Sequence, residues 1–143
     1  MKTYIAKEKD IKKAWHIIDA KDKVLGRVCT QVATILMGKN KVMYSPHQDT
    51  GDEVIVIDAA QIKVTGNKVL DKKYQHYSAY PGGLKEETFA KVISKKPEYI
   101  IQHAVHGMLP KSKLGAKLLK KLRVYPGAEH PHQAQKPNAL KID

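Results

Sequence analysis

The segment His47-Gln48-Asp49-Thr50-Gly51-Asp52 puts one imidazole and two carboxylates within six residues, the side chains of a metal site or of acid/base catalysis. A bound cation needs ligands that converge with defined geometry, which a single short loop does not supply. Asp before Thr-Gly is also a turn device, because its side chain accepts hydrogen bonds from nearby backbone amides. The turn is the preferred reading, and an RNA-processing enzyme using His47, Asp49 and Asp52 is the alternative.

Two histidine pairs are the other metal candidates. His103 and His106 stand three apart on a helical stretch, and His130 and His132 two apart on a loop, but no cysteine or third ligand accompanies either at a zinc-like spacing. No metal and no cofactor are expected. Gly82-Gly83, in YPGGLK, lacks the longer glycine pattern and the Lys-Ser/Thr ending of a nucleotide-binding loop. It suits a point where the backbone approaches another backbone, of protein or of RNA.

Polyanion binding is better represented. Tyr74, His76, Tyr77 and Tyr80 are interleaved with Lys68, Lys72, Lys73 and Lys85, a mixture that neutralises phosphates and stacks on bases or riboses. The same composition fits a solvated turn whose tyrosines pack on the core, and both readings stand. The stretch from Pro110 to Tyr125 carries Lys111, Lys113, Lys117, Lys120, Lys121 and Arg123 and no acidic residue, so it has no local partners for surface ion pairs. Leu114, Leu118, Leu119 and Leu122 anchor one side of this basic helix, spanning 110–122, and Lys113, Lys117, Lys120 and Lys121 fan over the others.

The charge of the whole chain agrees. Its 26 Lys and Arg against 14 Asp and Glu leave +12, which self-repels in the compact state and is most readily offset by a polyanion. Residues 63–127 hold fourteen of the basic groups and only four of the acidic ones, so the charge belongs to the second half. Only Arg27 and Arg123 are arginines; lysines suit phosphate neutralisation better than bidentate base reading. Cys29, the single cysteine, lies on an apolar helix face and reads as a small buried hydrophobe in a reducing compartment. The N-terminus is too polar for a signal peptide and no apolar run could span a bilayer, so a cytoplasmic protein with no membrane partner is expected.

At 143 residues the chain fits a single domain, 1–143. Residues 1–14 form an N-terminal arm, 15–125 an α/β core, and 126–143 a C-terminal arm too rich in Pro, Gln and His to be ordered without a partner. Strands are predicted at Trp15 to Asp19, Val54 to Asp58 in the sheet centre, Ile62 to Thr65, and Arg123 to Tyr125. Helices are predicted from Leu25 to Met37, capped by Gly38, from Lys85 to Lys95, and from Pro97 to a limit set by Gly107 and Pro110. Ser112 caps the basic helix. Lys39 and Lys41 lie on the loop after the first helix. Interleaved strands and helices give an α/β layer fold with a small, mainly parallel, four-stranded sheet.

The run VHGMLPKSKLGAKLLKKLRVYPGAEHPHQAQKP closely resembles the signature and tail of the universal L-thirteen family of the large ribosomal subunit, in its bacterial form. The likeness continues in VLGRVCTQVATILMGKNK, in YSPHQDTGDEVIVIDAAQIKVTGNK and in the YPGGLK turn, and it is collinear from Trp15 to Leu140. It implies a three-layer α/β/α fold and a non-enzymatic protein, with no small-molecule substrate, that binds large-subunit rRNA early in subunit assembly beside neighbouring ribosomal proteins. In parts of the family a messenger RNA is a secondary target. By the family's pattern, Gly107 to Lys111, Gly115 and Lys117 to Tyr125 lie against RNA, with Gly38 to Lys41 and Lys68 to Lys85 as further contacts. Residue composition and the resemblance together give as expected RNA-binding residues Arg27, Lys39, Lys41, Lys68, Lys72, Lys73, Tyr74, His76, Lys85, Lys111, Lys113, Lys117, Lys120, Lys121 and Arg123, with close backbone approach at Gly82, Gly83 and Gly107. His106 stands where many relatives carry Lys or Arg, and Ser78-Ala79 where a Thr-Gly pair is common.

Overall fold

Val54, Ile55 and Val56 are fully buried, as a β-branched run covered on both faces must be. In a computed structural model, which describes residues 4–142, they form the middle of β2 (Glu53–Ile57). β1 (Trp15–Asp19) lies parallel beside it, with Ile17 opposite Ile55 and Ile18 opposite Val56. β5 (Leu122–Val124) and β6 (Asn138–Leu140) flank this pair, giving a four-stranded, all-parallel sheet in the order β5-β2-β1-β6. The expected α/β architecture, with the VIVI run at the sheet centre, is the one found.

α1 (Leu25–Met37) buries Leu25, Val28, Cys29, Val32, Ile35 and Leu36, the stripe expected from their spacing. Gly38 ends it in the left-handed conformation at φ 80°, with its N–H donating to the Ile35 carbonyl. Burial also pushes the Cys29 thiol up to about 12, so it stays a protonated packing group. α4 (Pro97–Met108) opens on Pro97 and buries Ile100, Ile101 and Val105. α1, α3 (Phe89–Lys95), α4 and α5 (Lys113–Leu119) pack on one another. Their core joins the sheet face that carries Ile18, Val54, Val56, Leu122 and Val124. Side chains at alternate positions point to the opposite face. There Trp15 meets His132 of the C-terminal segment, ring centroids 5.4 Å apart.

Several elements differ from expectation. Ile62–Thr65 makes only one parallel bridge, Lys63 to Val24, and the fourth strand is β6 instead. The C-terminal segment is therefore ordered within the chain: Leu140 packs on the core and Lys23 Nζ donates to the Ile142 carbonyl. The basic segment after a short helical turn, α2 (Lys68–Asp71), is a hairpin of β3 (Lys73–Tyr77) and β4 (Leu84–Thr88). β4 takes the residues expected to begin α3, because Glu86 accepts from both Lys73 (3.1 Å) and Gln75 (2.6 Å) across the strands. The basic helix is shorter than 110–122, ending at Leu119 where the chain turns into β5. In the N-terminal arm, Tyr4 to Ala14 includes a single 3-10 turn, Glu8–Asp10; Met1 to Thr3 and Asp143 lie outside the described residues.

Candidate nucleic-acid interface

α5 is held by a small number of local contacts. The Ser112 hydroxyl accepts from Gly115 N–H at 3.3 Å, capping the helix, and Leu118 is buried with Leu114 and Leu119 partly buried beside it. Gly115 is buried directly over Pro110, where a Cβ would lie 1.7 Å from the carbonyl oxygen. With the apolar side held down, Lys113, Lys117 and Lys120 recur at i, i+4 and i+7 along one exposed stripe, and Lys111 precedes them. None of these four, nor exposed Arg123 on β5, makes an ion pair among the described residues. They form an uncompensated cationic surface.

Lys121 is the exception. It is 7% exposed, donates to the Gly51 carbonyl at 3.1 Å, and forms an ion pair with Asp49. Burial lowers its ammonium below the ordinary lysine value in spite of Asp49. Lys41 is also drawn inward, 2.5 Å from Asp52 and 2.8 Å from the Lys12 carbonyl. Neither lysine extends over the outer surface as their place in basic runs suggested.

The His47–Asp52 loop is accordingly neither a local turn device nor an exposed acid/base pair. Asp52, 2% exposed, accepts from Ala14 N–H (2.9 Å), His16 Nε2 (3.0 Å) and Lys41, and Asp49 accepts from Lys13 (3.2 Å) and Lys121. These bonds tie the end of the N-terminal arm, the loop after α1 and the entry to β5 to one loop. Burial alone would raise the Asp52 carboxyl, but Ala14, Lys41 and His16 hold it below its ordinary value; Lys121 and Lys13 do the same for Asp49. His47 is exposed and takes no part. Among the described residues no three His, Cys, Asp or Glu side chains are placed to hold a metal.

The tyrosine-lysine segment divides its members. Tyr74 is buried against Tyr99 and His103 of α4, ring centroids 6.0 and 5.4 Å away, with Lys72 Nζ 5.5 Å from its ring centre. His76 faces Lys85 across the hairpin, both exposed, while Lys73 is neutralised by Glu86. Tyr77, Tyr80 and Leu84 are exposed around the hairpin end. Gly82 has φ 71° and Gly83 sits against Ser78 and the Tyr80 carbonyl, so the close backbone approach at this pair is the hairpin's own turn. Gly107 faces open space. Lys68, Lys39 and Arg27 are exposed at separate points. The structure thus sets the hairpin at the start of α4 and the basic stripe just beyond its end, about 18 Å of helix apart for its twelve residues. Tyr99, whose ring meets Tyr74 of the hairpin, and Lys96, at the start of α4, have nothing in their local spacing that sets them apart from a helix start.

The family model described as "Ribosomal protein L13" matches residues 13–131. Relatives named "Large ribosomal subunit protein uL13" include one from Thermoanaerobacter sp. (strain X514), 56% identical over 143 residues and the full length of both chains. Another, from Maridesulfovibrio salexigens, is 54% identical over 142 residues, 99% of this chain and 100% of its own. A third, from Geobacter sulfurreducens, is 52% identical over 140 residues, 98% of each.

Proposed function

This chain belongs to the ribosomal protein L13 family, and from that membership we propose that it binds large-subunit rRNA through its lysine-rich face and supports early subunit assembly. It is a structural protein of the large ribosomal subunit and not an enzyme. No helix of the described residues is long and apolar enough to cross a membrane. The observation that carries the RNA reading is the stripe of Lys111, Lys113, Lys117 and Lys120, exposed, without acidic partners among the described residues and mounted on a helix whose other side is fixed in the core. Unpaired ammonium groups in that arrangement gain most from displacing the counterions of a phosphate backbone.

In this reading the chain acts as one cytoplasmic unit, its core presenting the stripe and its N-terminal arm, with the exposed stretch of the C-terminal segment before β6, lying along RNA and neighbouring large-subunit proteins. A messenger RNA that presents phosphates in the same way is a secondary target. The enzyme alternative loses its active residues, because Asp49 and Asp52 are already engaged by Lys121, Lys13 and Lys41. The direct test is the salt dependence of binding to a large-subunit rRNA transcript. Replacing Lys113, Lys117 and Lys120 together by Ala is expected to flatten the log-log slope by roughly two to three, at about 0.7–0.9 per phosphate released. An unchanged slope contradicts the proposal. Depletion of the chain in cells is expected to accumulate large-subunit assembly intermediates.

A further inference from the structure

The hairpin and the helices α3 and α4 enclose an open groove of about 700 Å³ that the basic stripe does not use. Its wall includes Tyr99, which is 42% exposed, so an aromatic face is available from the groove. Tyr74 also lines it, 8% exposed, and its phenolic oxygen is buried with no hydrogen-bond partner among the described residues. A buried hydroxyl left unpaired is disfavoured, and in native proteins such a group usually finds a protein group or an ordered water. Burial pushes the Tyr74 phenol up to about 12, so it remains a donor at neutral pH.

The charges of the groove are also incompletely paired. Glu87 accepts from Lys95 at 2.9 Å and lies 3.6 Å from Lys91, while Glu86 pairs with Lys73. Lys85 and Lys96 line the same groove and make no ion pair among the described residues. A volume of this size falls in the range of small-ligand sites, with room for one nucleotide. The two carboxylates oppose a continuous run of phosphates, whereas an aromatic wall and two lysines with no ion pair among the described residues suit a single base with its phosphate.

We propose that the groove between the hairpin and α4 receives one unstacked nucleotide of the bound RNA, its base against Tyr99 and its phosphate between Lys85 and Lys96. This rests on the rRNA-binding reading and adds to it a pocket distinct from the α5 stripe. Stacking on Tyr99 contributes affinity that is insensitive to salt, and the two lysines contribute the salt-sensitive part.

The full-length chain bound to a large-subunit rRNA transcript, irradiated, digested with nuclease and protease and analysed by mass spectrometry, is expected to carry a nucleotide remnant on the segment around Lys96 to His103. In titrations with the same transcript, Tyr99→Leu is expected to weaken binding about tenfold with the salt slope unchanged. Tyr99→Phe keeps the affinity, and Lys85→Ala with Lys96→Ala flattens the slope. Thermal unfolding of Tyr99→Leu establishes that it is folded, and the remnant on the unaltered chain does not depend on any variant. Wild-type binding with a steep salt dependence, but with no remnant on that segment and no loss in Tyr99→Leu, overturns the pocket and leaves the stripe standing. Failure of the wild-type chain to bind the transcript at all removes the rRNA reading and the pocket with it.

Discussion

Lys121 and Asp49 stand 72 positions apart in the chain and meet in an ion pair that takes the lysine out of solvent. The lysine side chain is 9% exposed and the carboxylate 25%, so the two are not equally replaceable. Asp49→Ala strands a buried ammonium and is expected to lower stability by about 1–3 kcal/mol, whereas Lys121→Met leaves a carboxylate still bonded to Lys13 and is expected to cost less. Urea unfolding of the two variants checks the order.

The same loop sets the response to acid. Asp49 and Asp52 both have folded-state values below their ordinary ones, so folding favours their ionised forms. That stability is fully present above the unfolded carboxylate value of about 4 and is lost as pH falls through the lower folded values. Urea midpoints are expected to fall between pH 5 and pH 2.5, and to fall less steeply in Asp52→Asn, which starts lower at pH 7. An equally steep acid response in that variant refutes the role given to Asp52.

Two helical glycines separate packing from binding. A Cβ at Gly115 meets the Pro110 carbonyl at 1.7 Å, and Gly115→Ala is expected to lower stability by about 1–3 kcal/mol through forced backbone movement. At Gly107 nothing lies within 4 Å, so Gly107→Ala is expected to raise stability by about 0.5–1 kcal/mol through helix propensity. Should RNA backbone approach there, the same variant binds transcript more weakly although it is more stable. Denaturation and binding measured together decide this.

Removing residues 138–143 deletes β6 and uncovers one edge of β1, which pairs with β6 from His16 to Ile18. The truncated chain is expected to be less stable by about 1–3 kcal/mol, from lost ladder bonds and the partial burial of Leu140. It should also self-associate through the exposed strand edge. Sedimentation and thermal unfolding of the truncated chain test both.

Periodicity and charge carried much of this architecture in the sequence itself. The apolar stripe from Leu25 to Leu36, the Val54 run, Pro97 opening a helix, Ser112 capping another and the acid-free basic segment are local patterns, and each appears where its spacing placed it. The hairpin was hidden because Leu84 to Thr88 carries helix-forming Lys and Glu, and only its cross-strand partners make it a strand. β6 was hidden because three residues next to a proline bear no strand signature until β1 is alongside.

Sequence alone therefore determined the fold class, the family resemblance and the half of the chain that carries the positive charge. Which lysines face outward was decided only by the tertiary structure. Lys117, Lys120 and Lys121 are equivalent in composition, but a turn after Leu119 sends Lys121 inward, where a carboxylate from a distant loop waits for it. An ion pair closed across the fold leaves no trace in local spacing, because its partner is chosen by how the elements pack and not by neighbouring residues.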